Sequence, residues 1–125
     1  MSVRKDSYIV RGWRLPYEPF KGKYDVIEPY FANKRKARVP PWEFSIIMDG
    51  MSGKWVVMGE VLSGAEGGDF GTSANDYITE IDTKSVSSYI VRMRKAALAF
   101  VRNNSIDVAP LLHNVPKLML VEHYH

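Results

Sequence analysis

The stretch Trp42-Glu43-Phe44-Ser45-Ile46-Ile47-Met48-Asp49-Gly50-Met51-Ser52-Gly53-Lys54-Trp55-Val56-Val57-Met58-Gly59-Glu60-Val61-Leu62 decides the fold class. Trp42, Phe44, Ile46 and Met48 alternate with Glu43, Ser45, Ile47 and Asp49 at the period of a β-strand. Asp49 to Gly53 then supplies turn chemistry, with Gly50 and Gly53 both able to adopt positive φ. Lys54 to Leu62 returns as a second strand. Both faces of this hairpin are largely apolar, which predicts a position in the middle of its sheet.

Working toward the N-terminus, Ser7 to Leu15 is β-rich and stops at Pro16, so it reads as a strand. Residues 16–23 read as a loop. Pro29 favours the first position of a helix, which predicts a short helix over Pro29–Arg35 rather than one starting at Asp25. Working toward the C-terminus, residues 63–75 contain Gly64, Gly67, Gly68 and Gly71 and read as a glycine-rich loop. Tyr77–Ile81 is a short strand candidate. Asp82 or Thr83 can cap a helix running to about Arg102, with Val86, Tyr89, Ile90, Met93, Ala96, Ala97, Phe100 and Val101 on one face. Lys117–His123 reads as a final strand. The expectation is one α+β domain over residues 1–125: a mainly antiparallel sheet of four to five strands, one long amphipathic helix packed on one face, and one short helix.

The 125 residues are 46% apolar and 25% charged, enough for a core. There is no cysteine, which excludes disulfides, thiolate zinc sites and cysteine nucleophiles. The first residues hold no apolar run of signal-peptide length and no segment is long enough to span a bilayer, so a cytoplasmic location and no membrane partner are expected. The net charge of +3 conceals segregation: residues 1–42 carry ten Lys/Arg against four Asp/Glu, residues 43–83 one against eight, and residues 84–125 six against two.

Motifs that would carry catalysis are missing. Gly50 to Trp55 has the wrong glycine spacing for a phosphate loop, and lacks a hydroxyl after the lysine. The glycines of residues 64–71 do not open a helix as a dinucleotide fingerprint requires. His123 and His125 could share one face of a strand end, but Glu122 would point away, so no metal site and no cofactor are expected. Glu60, Glu66, Asp69, Asp76, Glu80 and Asp82 cluster in sequence, and nothing in their spacing selects an acid–base pair.

Three binding readings stay open. The glycine-rich segment can act as a contact loop with Phe70 as anchor beside Asp69 and Glu66. Lys34, Arg35, Lys36 and Arg38, flanked by Tyr30, Phe31 and Trp42, have the cations and aromatics of a nucleic-acid contact; a solvated loop is the plainer account. A small ligand or substrate could sit in a pocket under residues 64–73. Homo-oligomerisation is open.

The hairpin of residues 42–62, with the opening Ser7-Tyr8-Ile9-Val10-Arg11-Gly12-Trp13-Arg14-Leu15-Pro16, resembles small uncharacterised accessory proteins of tailed bacteriophages, over about a quarter of the chain. What the resemblance implies is a context: a non-catalytic binding protein, a modulator or inhibitor of a bacterial host protein, acting in the host cytoplasm. It transfers no catalytic residue.

Overall fold

The computed structural model describes residues 4–32, 44–69 and 87–124. Its elements in chain order are β1 (Arg4–Pro16), α1 (Tyr24–Ile27), β2 (Ser45–Met48), β3 (Trp55–Asp69), α2 (Ser87–Asn103) and β4 (Lys117–Tyr124), with 3-10 turns at Glu18–Phe20, Glu28–Tyr30 and Ala109–His113. The architecture is α+β. The strands form one antiparallel sheet in the order β2-β3-β1-β4. The strand candidate Tyr77–Ile81 and the first residues of the expected helix lie outside the described residues.

Strand alternation sends the apolar residues to two opposite faces. On one face Trp13 and Leu15 of β1, Ile46 of β2, and Val56 and Met58 of β3 join Phe44 and the α2 residues Met93, Ala97, Phe100 and Val101 in the main core. Phe20, Ile27, Ile106, Val108 and Leu112 close its ends. Tyr30 seals the rim: its ring stacks on Phe44 at 4.8 Å and meets Phe100 at 4.6 Å. On the other face Tyr8, Val10, Ile47, Val57 and Val121 form a second buried cluster.

That second cluster corrects the placement of the hairpin. Among the described residues, β2 lies at the edge of the sheet and not in its centre. Its two-sided apolar character arises because Ile46 faces the main core while Ile47 faces the second cluster. The outer edge of β2 is closed by a parallel bridge between Phe31 and Ile46. The turn follows the sequence expectation that Gly50 or Gly53 takes positive φ: Gly53 adopts φ 63°. Trp42 lies outside the described residues.

Two further expectations need correction. The short helix is not Pro29–Arg35. α1 begins at Tyr24, and Glu28 keeps helical angles, φ −50° and ψ −44°, in front of Pro29. Pro29 lacks an N–H, so the ladder tightens there into the 3-10 turn Glu28–Tyr30 instead of starting a new helix. Residues 63–69 are also not loop: β3 continues to Asp69, with Gly64 and Gly68 in register with Tyr8 and Lys5 of β1, Gly67 at the register shift between Lys5 and Ser7, and Leu62 at the shift between Ile9 and Val10. Bulges are where a strand tolerates glycine and extra residues.

Candidate functional site

The residues singled out from sequence divide between described and undescribed parts of the chain. Phe70, Lys34, Arg35, Lys36 and Arg38 lie outside the described residues. Asp69 and Glu66 lie on β3, not on a loop. Asp69 is in register with Arg4, and Glu66 falls in the shifted stretch between Ala65, opposite Ser7, and Gly68, opposite Lys5. The described part of this proposed contact segment, up to Asp69, is therefore sheet.

The described structure offers two other surfaces. The first is a cleft of about 350 Å³ beside β2 and α1, lined by Tyr8, Phe20, Tyr24, Phe31, Ile47 and His123 among others. Tyr24 meets the Phe31 ring edge-on at 5.5 Å and remains about half exposed. The lining of the cleft is mostly apolar and aromatic, and Tyr8, Tyr17, Tyr24 and His123 are its residues with polar side chains. Behind Tyr8 sits Asp6, 2% exposed, whose Oδ2 accepts a 3.5 Å hydrogen bond from the Tyr8 hydroxyl. His123 is the cross-strand neighbour of Asp6. An apolar, aromatic cleft with a few polar groups suits a small ligand. It lies beside β2 and not under the glycine-rich segment.

The second surface is the open edge of the sheet. Among the described residues, no strand pairs with the outer side of β4. Leu118 and Leu120 stand opposite Arg11 and Ile9, on the same face as Trp13 and therefore on the face that carries α2. They lie beyond the cover of the helix and are 54% and 69% exposed. Val115, just before the strand, is 80% exposed. Glu122 on this face pairs with Lys5 at 3.5 Å, and the exposure of both groups makes that pair a weak one. Arg11 Nε is buried with no hydrogen-bond acceptor among the described residues.

The β4 surface was missed in the sequence reading. Its signal was present: Leu118, Met119, Leu120 and Val121 are four consecutive apolar residues, too many for a strand that buries one face. Only the strand order shows that the surplus pair falls on an edge.

Among the described residues, no three His, Asp or Glu side chains gather to hold a metal ion, and no helix is long and apolar enough to cross a membrane. No protein-family model, curated protein or solved structure matches the chain.

Proposed function

We propose that the chain is a non-catalytic binding protein whose contact surface is the open edge of its sheet. The observation that carries this reading is the pair Leu118 and Leu120, more than half exposed on an edge strand of eight residues. Edge strands with exposed backbone donors and acceptors recruit further strands, and natural proteins usually blunt them. Here the two edges differ. β2 is only four residues long and is covered by the Phe31 bridge, whereas β4 is long and carries two exposed leucines. In this reading the main helix is one long amphipathic lid for half of a sheet face, and the uncovered half is reserved for a protein partner. A phage-type modulator of a bacterial host protein, acting in the host cytoplasm, would engage its target this way by strand addition.

The test compares wild type with the double variant Leu118→Asp/Leu120→Asp as baits in bacterial lysate, with captured proteins quantified by mass spectrometry. Both substitutions sit at exposed positions, so far-ultraviolet circular dichroism should be unchanged. A partner captured by wild type and lost by the variant is the expected result. Partners retained equally by both baits would sink the edge reading.

The cleft favours a second reading, a small apolar or aromatic ligand held between Tyr24, Phe31 and Tyr8. Native mass spectrometry of the purified protein would show a bound molecule that Phe31→Ala releases. A bare mass together with no thermal shift across a library of aromatic ligands would remove it.

A further inference from the structure

We infer that the occupant of the β4 edge is a second copy of this chain, paired antiparallel about a twofold axis that passes through Met119; this rests on the edge reading above. Two antiparallel strands related by a twofold perpendicular to their sheet place like faces together, so a residue can oppose only one of its own parity. Among the registers that satisfy this, only the one centred on Met119 sets Leu118 of one copy opposite Leu120 of the other. It does so twice, which gathers all four exposed leucines into one cluster on the helix-bearing face.

On the opposite face the same register places Met119 against Met119 and Lys117 against Val121. No like charges oppose one another, a juxtaposition that would be destabilising. Shifting the centre by one residue to Leu120 keeps Leu120 against Leu120 but sets both copies of Leu118 against Glu122 and Lys117 against His123; centring on Leu118 sets Leu120 against Pro116, so only the Met119 register pairs all four leucines with one another. The chain is thus self-complementary at one register. The two four-stranded sheets would then join into one of eight strands, with the covered β2 strands outermost. The contact is a single strand and four leucines per dimer, well below the area of an obligate dimer, so the association is reversible and concentration-dependent.

The absence of cysteine makes the register directly testable. At the twofold, opposed Cα atoms lie ~4.5–5.5 Å apart, inside the ~4.4–6.8 Å span of a disulfide. Met119→Cys should therefore cross-link to itself under mild oxidation, whereas Leu118→Cys, whose copies sit one residue either side of the axis and so two residues apart along the strands, should not. Light scattering over a concentration series should show wild type rising from monomer to dimer mass. Leu120→Lys should weaken that association by about a hundredfold or more, because both copies lose an apolar contact and gain a charge. Its melting temperature at low concentration should match wild type.

Wild type that remains monomeric at the highest attainable concentration overturns the proposal. So does cross-linking of Leu118→Cys in preference to Met119→Cys. The edge reading is separated by one further measurement: amide chemical shifts of uniformly labelled protein on addition of a synthetic peptide spanning residues 115–124. Shifts confined to β4 without self-association would retain the edge and remove the second copy as its natural occupant. No shifts and no dimer would remove both.

Discussion

Trp13 and Arg94 converge on one carbonyl. The Asn114 oxygen accepts a 2.9 Å hydrogen bond from the Trp13 indole N–H and a 3.2 Å hydrogen bond from Arg94 Nη2. Arg94 Nε also donates to the Leu112 oxygen at 2.8 Å, and its guanidinium lies 5.9 Å from the Trp13 ring centroid. A strand, a helix and the turn that leads into β4 are thereby tied at one point. The tie sets where the chain enters the edge strand, so the position of the candidate interface depends on it.

Arg94→Lys should not restore this arrangement, because an ammonium cannot reproduce two directed guanidinium bonds and the stacking. We expect Arg94→Ala and Arg94→Lys each to cost about 1.5–3 kcal/mol, the range for hydrogen bonds to a charged group. Urea denaturation measures this. A lysine variant as stable as wild type would show that the carbonyls are indifferent to the fork.

Gly12 and Gly59 stand opposite one another in the β1–β3 pairing. A Cβ on Gly12 would lie 2.6 Å from the Gly59 Cα, and one on Gly59 would lie 2.8 Å from the Gly12 Cα. The requirement here is space between two backbones, not an unusual φ. Gly12→Ala and Gly59→Ala should each destabilise by about 1–3 kcal/mol or more, the cost of overpacking. The double variant should be less than additive, since either methyl alone forces the strands apart. Full additivity in a thermal-melt cycle would argue against a shared cause.

These particulars show which features sequence can carry. The hairpin was legible because Ile46 and Met58, with Ile47 and Val57, keep a strict two-residue period around strong turn residues. Met93, Ala97, Phe100 and Val101, which share one helical face at a period of 3.6, were legible as core and are buried together. The extension of β3 through Gly64 to Asp69 was not legible: glycine reads as loop, and only pairing with β1 makes those glycines strand. Gly64 in fact lies against the Tyr8 ring, with a Cβ there falling 2.8 Å from Tyr8 Cδ1. The run Leu118–Val121 is too apolar for a strand that buries one face, but strand order is a non-local property, so nothing local shows that the surplus pair Leu118 and Leu120 falls on the edge strand. The basic run of residues 34–38, conspicuous in sequence, lies outside the described residues, whereas His123, read as a frayed end, lines the cleft.

Phe100 is the aromatic centre of the main core, 5.5 Å from Phe44 and 4.6 Å from Tyr30. Ala97 and Val101 beside it on α2 are fully buried. Phe100→Ala should cost about 3–5 kcal/mol, the transfer term plus the cavity left behind. Phe100→Leu should cost less than half of that, because most of the volume is kept. If both variants melt with wild type, α2 does not pack on the sheet through this residue.

Asp49 organises the β2–β3 turn and supplies a pH dependence. Burial pushes its carboxyl upward, but this is outweighed by hydrogen bonds from the Ser52 hydroxyl and from the backbone N–H groups of Ser52, Lys54 and Met51. The result is a pKa of about 2 against an ordinary 3.8. A depressed carboxylate stabilises the fold above its unfolded pKa and loses that contribution as pH falls through the folded value. The stabilisation is therefore complete above about pH 4 and disappears between pH 3.8 and about 2. Allowing for solvent at the rim of the turn, it should amount to about 1–2 kcal/mol. Asp49→Asn keeps the side-chain shape but removes the charge that strengthens these bonds. It should be less stable than wild type at pH 7 by about that amount and should show a flatter stability profile below pH 4. Because the turn aligns β2 with β3 and lies beside the cleft at Gly50, the variant should also loosen any ligand held there. Urea titrations from pH 7 down to pH 2 measure the difference. Parallel profiles for the two proteins across that window would place the acid sensitivity of the fold elsewhere.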